Sequence, residues 1–130
     1  MYVLVIDDDI SVAEVIRRVL TNEGHRCALA TSTDEADQIL ACGGVDAQTL
    51  DLTMPGRDGL DWLEIVAGRD PVLARRTLVV TGNVVDRDDL NRIRRCGAGY
   101  LAKPFRLETL VEALRQQVRE RESSLPSPVD

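Results

Sequence analysis

Leu50-Asp51-Leu52-Thr53-Met54-Pro55-Gly56-Arg57-Asp58-Gly59 joins a short strand-like run, Val45 to Leu50, to a helical pattern. Asp51 stands where the strand ends. Pro55 and Gly56 cannot continue a central strand and mark a turn. Asp58-Gly59 is a second turn signal, placed just before Leu60, Leu63 and Val66 begin to recur at helical spacing. The order is strand, carboxylate, tight loop, helix. In an open α/β sheet, ligands bind outside the carboxyl ends of the strands. A carboxylate at that point is placed for chemistry. Taken alone, Asp51 reads more readily as a residue that caps or initiates a turn. The groups at the other strand ends decide between the two readings.

Working outward, the same alternation covers the chain. Tyr2 to Ile6 is an unbroken apolar run ending in Asp7-Asp8-Asp9. Continuous apolarity suits a strand buried on both faces of a parallel sheet. Ser11 and Glu14 have capping-box spacing, and Val12, Val15, Ile16, Val19 and Leu20 fall on one helix face until Asn22-Glu23-Gly24. Cys27 to Ala30 predicts a second strand. Ser32 and Glu35 predict another capping box, with a helix through Ala36, Ile39 and Leu40 that ends at Gly43-Gly44. Gln48 and Thr49 make the third strand more polar than a central strand usually is. Trp62 is expected to cover an edge, and Asp70-Pro71 and Arg75-Arg76 to form a connection. Thr77 to Val80 is a β-branched fourth strand ending in Thr81-Gly82-Asn83. A polar helix from about Asp86 to Cys96 has only Leu90 and Ile93 as its apolar stripe. Tyr100 to Ala102 is a short fifth strand stopped by Lys103-Pro104. A last helix carries Leu107, Leu110, Val111, Leu114 and Val118. Five strands alternating with helices predict an α/β fold, a doubly wound five-stranded parallel sheet of order 2-1-3-4-5, flavodoxin-like. Residues 1–120 form the domain, and residues 121–130, with Ser123, Ser124, Pro126, Ser127 and Pro128, read as a flexible tail or linker.

Bulk properties narrow the function. A chain of 130 residues is long enough for one domain with a proper core. Aromatics are only 3%, so aliphatic side chains must build that core. The net charge of -6 argues against direct nucleic-acid binding. Cys27, Cys42 and Cys96 lack the paired spacing of a zinc or redox motif. They predict reduced thiols and a cytoplasmic protein. No apolar run approaches the ~18 residues of a membrane span, and no signal-peptide pattern opens the chain. His25 is the only histidine, which removes a histidine-based metal site or triad.

Under the expected topology, strand ends one, three, four and five carry Asp7-Asp8, Asp51, Thr81 and Lys103. Crowded carboxylates repel and raise their own pKa values. A divalent cation relieves that, and magnesium suits oxygen ligands while keeping several waters. Carboxylates, a hydroxyl and an ammonium around such a cation make a phosphoryl site. Lys103 is the only lysine among 16 lysine and arginine residues. A compact ammonium on a flexible stem is thus confined to one place.

These residues carry a resemblance. The chain resembles the receiver (phosphoacceptor) domain of two-component response regulators along nearly all of residues 1–120. The motifs are Val5-Ile6-Asp7-Asp8-Asp9, the stretch Asp51 to Gly59, Val80-Thr81-Gly82, and Tyr100-Leu101-Ala102-Lys103-Pro104-Phe105. The resemblance implies a phosphorelay signalling domain, a response regulator phosphoprotein, with at most self-catalysed phosphotransfer and dephosphorylation. It implies that Asp51 accepts a phosphoryl group from a phosphohistidine of a partner histidine kinase or histidine phosphotransfer protein. By the same resemblance, Asp8, Asp51 and the backbone carbonyl of Thr53 are direct Mg2+ ligands and Asp7 acts through water. Lys103 pairs with phosphoryl oxygens, Thr81 hydrogen-bonds to one of them, and Tyr100 is the aromatic that reports the state. Asp9 is expected to face solvent, and a cis peptide is expected at Lys103-Pro104. Thr53 and Asn83 occupy variable positions that in the family influence how long the acyl phosphate lasts.

Phosphorylation is expected to draw Thr81 toward the phosphoryl group, with Gly82 permitting the shift. The surface that changes is the fourth expected helix, the fifth strand and the fifth expected helix. Arg87, Arg92, Arg94 and Arg95 there can meet acids of a partner or of a second copy, in a homodimer. Asp7-Asp8-Asp9-Ile10-Ser11 also resembles the D-x-D motif of haloacid-dehalogenase-type phosphatases. Those enzymes need a further acidic pair after the lysine, and here the nearest acid after Lys103 is Glu108. The cognate kinase, the stimulus and the output arrangement stay open: stand-alone receiver, regulator fragment or hybrid-kinase receiver.

Overall fold

Val3, Leu4, Val5 and Ile6 are all buried, as a central strand covered on both faces requires. In the computed structural model, which describes residues 1–54 and 58–123, they form β1 (Tyr2–Ile6). Along the chain follow α1 (Ile10–Asn22), β2 (Arg26–Ala30), α2 (Thr33–Ala41), β3 (Ala47–Leu50), α3 (Gly59–Arg69), α4 (Pro71–Arg75), β4 (Thr77–Thr81), α5 (Arg87–Arg95), β5 (Gly99–Ala102) and α6 (Leu107–Ser123). The sheet order is β2-β1-β3-β4-β5, and every pairing is parallel. The expected five-stranded doubly wound sheet is therefore observed.

Strand alternation divides the core in two. Leu4 and Ile6 join Leu50, Val79, Leu60, Trp62, Leu63, Val66 and Ile93 on the face covered by α2 to α5. Val3 and Val5 join Leu78, Val80, Ile16, Leu20, Leu110 and Leu114 on the face covered by α1 and α6. Each large aliphatic fully buried here contributes roughly 1.5–3 kcal/mol relative to exposure. The polar pair in β3 does not break the strand. Gln48 and Thr49 are buried, and Gln48 Nε2 donates to Thr77 Oγ1 at 3.1 Å on the neighbouring β4. The Thr77 hydroxyl passes its own proton to the Leu73 carbonyl at 2.8 Å.

Several local expectations are corrected. Asp9, not Ser11, caps α1, accepting the N–H groups of Ser11 and Val12. The helix therefore starts at Ile10, and its inward residues are Ala13, Ile16 and Leu20, leaving Val15 exposed. Ser32 does cap α2 by accepting from Glu35 N. Trp62 covers no edge: it is fully buried, and its indole N–H donates to Asp37 Oδ1 on α2 at 2.8 Å. The connection after Asp70 contains α4, with Asp70 as cap and Pro71 in the first turn. That is the best place for proline in a helix, because its missing N–H has no helical partner there. The expected fourth and fifth helices are thus α5 and α6. β2 starts one residue early at Arg26, and β3 starts at Ala47 instead of Val45. The last helix runs to Ser123. The turn expected at Pro55-Gly56 and the tail from residue 124 lie outside the described residues.

Candidate functional site

Parallel strands put all their C-terminal ends on one edge of the sheet. β1 and β3 are neighbours there, with Ile6 in register with Leu50. The residues just after them, Asp7 and Asp51, are consequently side by side. Asp51 N donates to the Ile6 carbonyl at 2.9 Å, and Asp7 N donates to the Ala30 carbonyl at 3.0 Å, so both are held by the sheet itself. β4 delivers Thr81 from the other side of β3. Lys103 follows β5, with its N–H on the Thr81 carbonyl at 3.0 Å. The Lys103-Pro104 peptide is cis, as expected.

Lys103 reaches over two strands. Its Nζ donates to Asp7 Oδ2 at 2.7 Å and to Asp51 Oδ2 at 2.8 Å. Asp7 is 2% exposed and Asp51 5%, so these are shielded ion pairs and not surface ones. The two carboxyls nevertheless differ. Burial pushes Asp7 above its ordinary value, and the Lys103 and Asp9 N–H contacts only partly offset this. Burial acts on Asp51 in the same direction, but Lys103 together with the main-chain N–H and hydroxyl of Thr53 outweighs it and holds Asp51 below its ordinary value. Burial lowers Lys103, and its bonds to both aspartates more than restore it, leaving the ammonium raised.

Asp8 is exposed beside this pair. Carboxylate oxygens of Asp7, Asp8 and Asp51 all lie within 4.8 Å of one another. The donor set is oxygen only, and among the described residues the Lys103 ammonium pairs with two of the three carboxyls, Asp7 and Asp51. Both features fit a hard divalent cation such as magnesium or calcium. Asp9 is not in this group. It faces solvent as expected, but it has work of its own as the α1 cap.

Thr81 is fully buried at the end of β4. Its Oγ1 is 3.2 Å from Thr53 Oγ1 and accepts the Asn83 N–H at 3.3 Å. Thr53 Oγ1 donates to Asp51 Oδ1 at 2.8 Å, and Thr53 N donates to the same atom at 2.9 Å. Sequence reasoning gave Thr53 a metal-binding carbonyl and a variable position beside the site, but not these hydroxyl contacts with Asp51 and Thr81. An aspartate that accepts a bond from the N–H two residues on is an Asx-turn, and Asp51-Leu52-Thr53 is a sequence that allows one. α3 begins hard against this loop: a Cβ on Gly59 would lie 3.0 Å from Leu52 Cα. Gly82 has no such need, since a Cβ there would meet Lys103 Cβ only at an ordinary 3.8 Å.

Tyr100 is 36% exposed on β5. Of the four arginines expected to greet a partner, Arg92 is already engaged. It pairs with Asp61 and Glu64 of α3, each at 2.6 Å. α5 is therefore tied to α3 by charge as well as by Ile93, the one α5 residue that is fully buried.

A family model described as the response regulator receiver domain matches residues 3–115. Response regulator MprA of Mycobacterium tuberculosis is 35% identical over 120 residues, covering 90% of this chain and 50% of that protein. The chain spans about half the length of the curated relatives it matches. The crystal structure of a CheY-like receiver domain protein from Methanospirillum hungatei JF-1 superposes with a TM-score of 0.86 at 22% identity, covering 95% of this chain and 98% of that one. A response regulator from Burkholderia pseudomallei, solved with a phosphorylated aspartic acid, calcium ion and citrate, superposes with a TM-score of 0.78 at 28% identity over 94% of this chain and 71% of that one.

Proposed function

The chain belongs to the response regulator receiver domain family, and on that premise we propose that Asp51 accepts a phosphoryl group from a phosphohistidine of a partner histidine kinase or histidine phosphotransfer protein. The observation that carries the proposal is the setting of Asp51. It is a buried carboxylate at a strand end, 2.8 Å from the Lys103 ammonium and within reach of two more carboxylates. The phosphorylated aspartate recorded in the Burkholderia pseudomallei regulator supports it.

In the transfer, an Asp51 carboxylate oxygen attacks phosphorus. A new O–P bond forms as the P–N bond to the imidazole breaks. The imidazole nitrogen keeps the electron pair, and because the other ring nitrogen of the phosphohistidine already carries a proton, the histidine leaves as neutral imidazole. Lys103, released from one aspartate, meets the incoming phosphoryl oxygens. Asp8, Asp51 and the Thr53 carbonyl would hold magnesium directly, and Asp7 would act through water. The bound ion supplies positive charge against the phosphoryl oxygens. Asp7 and Lys103 keep the site charged and narrow. Thr81 donates to a phosphoryl oxygen, Tyr100 turns inward, and the α5-β5-α6 face changes to bind a partner or a second copy. Residues 1–120 form the functional unit. Its setting is the cytoplasm, consistent with free cysteines at positions 27, 42 and 96 and with no described helix long and apolar enough to cross a membrane.

Acetyl phosphate with magnesium tests the central claim. Mass spectrometry should show one added phosphoryl group on the wild type, none on Asp51→Asn and little after chelation. Labelling that persists in Asp51→Asn would sink the assignment.

A further inference from the structure

The hydroxyl of Thr53 sits between the phosphoacceptor and the switch threonine, 2.8 Å from Asp51 Oδ1 and 3.2 Å from Thr81 Oγ1. Each hydroxyl has one proton to give. A carboxylate can only accept, so the Thr53 proton goes to Asp51. The contact between the two threonines must then use the proton of Thr81. Thr81 Oγ1 in turn accepts the main-chain N–H of Asn83 at 3.3 Å. The bonds therefore run one way, from Asn83 N–H to Thr81, from Thr81 O–H to Thr53, and from Thr53 O–H to Asp51. Bonds aligned in this sense polarise and strengthen one another. Thr81 has no exposed surface, so water does not compete for its proton.

We infer that Thr53 is a positioning residue: its hydroxyl holds Thr81 in a resting orientation and competes with a phosphoryl oxygen for the Thr81 proton. The inference rests on the phosphoacceptor reading of Asp51. It separates the side chain of Thr53 from its main chain. The N–H that donates to Asp51 Oδ1 at 2.9 Å survives any replacement of the side chain except proline. Thr53 is itself exposed, so the hydroxyl can be removed without opening the core.

The test compares wild type, Thr53→Val and Thr53→Ser. Valine keeps the branched shape and removes the hydroxyl, whereas serine keeps the hydroxyl. Beryllofluoride binding in excess magnesium is measured by calorimetry, and the Thr81 methyl signal is followed by NMR without beryllofluoride. Thr53→Val loses the Thr81 contact together with the hydroxyl bond to Asp51, and freeing the Thr81 proton should tighten binding by about two- to tenfold. Its Thr81 methyl signal should move toward the bound position before any beryllofluoride is added. Thr53→Ser should behave like wild type in both measurements. If Thr53→Val binds no tighter, or its Thr81 signal does not move, or serine and valine act alike, the inference is overturned while the phosphoacceptor reading stands. If wild type does not bind beryllofluoride, or Asp51→Asn still does, the phosphoacceptor reading fails and this inference goes with it.

Discussion

Asp7, Asp9 and Asp51 are the same side chain with three different fates. Asp51 collects Lys103 and two donors from Thr53, Asp7 collects Lys103 and the Asp9 N–H, and Asp9 turns to cap α1. Two mutants exploit the difference. Asp9→Ala should cost about 1 kcal/mol of stability through loss of the cap, read by urea unfolding, while leaving magnesium affinity nearly unchanged in calorimetry. Asp8→Ala should do the reverse and nearly abolish magnesium binding. Equal magnesium losses in the two variants would mean that the ligand assignment is out of register. Lys103→Met leaves two buried carboxylates facing each other without their shared cation. In chelator it should lose roughly 1–3 kcal/mol. Its magnesium affinity should rise, because the ion then does the work of the missing ammonium. An affinity that stays the same or falls would show that Lys103 and the metal do not share the charge of this site.

At the scale of the element, α5 poses the question of what holds it. Ile93 is fully buried, Leu90 is partly so, and Arg92 grips two α3 acids. The magnitudes separate the roles. Removing a buried isoleucine costs about 2–5 kcal/mol, whereas an exposed ion pair contributes about 0–1 kcal/mol. Packing therefore keeps the helix on the sheet, and Arg92 sets its attitude toward α3. Arg92→Ala should leave global stability within about 1 kcal/mol of wild type. It should speed amide exchange across Arg87–Arg95, and high salt should reproduce that effect in the wild type. Exchange rates in α5 that do not respond to either change would remove Arg92 from the account.

At the scale of the whole molecule, the proposed switch links the site to one surface. Thr81 and Ala102 are in register across β4 and β5, and Tyr100 lies two residues before Ala102 on the same strand. In the proposed switch, that register is the path from Thr81 to the strand that carries Tyr100. Beryllofluoride should change amide exchange near Asp51 and also across residues 84–106. Changes confined to the neighbourhood of Asp51 would rule out this route. Arg87, Arg94 and Arg95, the other α5 arginines, are all exposed.

The strands and the four strand-end groups were legible in the sequence because each depends on local pattern, and the sheet order followed from the known small doubly wound fold. An unbroken apolar run makes β1, β-branched residues make β4, and alternation with helices makes the connections parallel. Asp7, Asp8, Asp51, Thr81 and Lys103 then fall together by topology alone. What only the tertiary structure decided is which partner each polar group chose, because those partners are distant in the chain. Trp62 found Asp37 and was buried instead of covering an edge. Gln48 found Thr77, which is why a polar pair sits in a central strand. Arg92 found α3 instead of solvent, and the Thr53 hydroxyl found Thr81 across 28 residues of sequence. Periodicity records which face of an element is apolar. It carries no information about where a single proton on a buried hydroxyl goes, and that is set only when two loops are brought within hydrogen-bond distance.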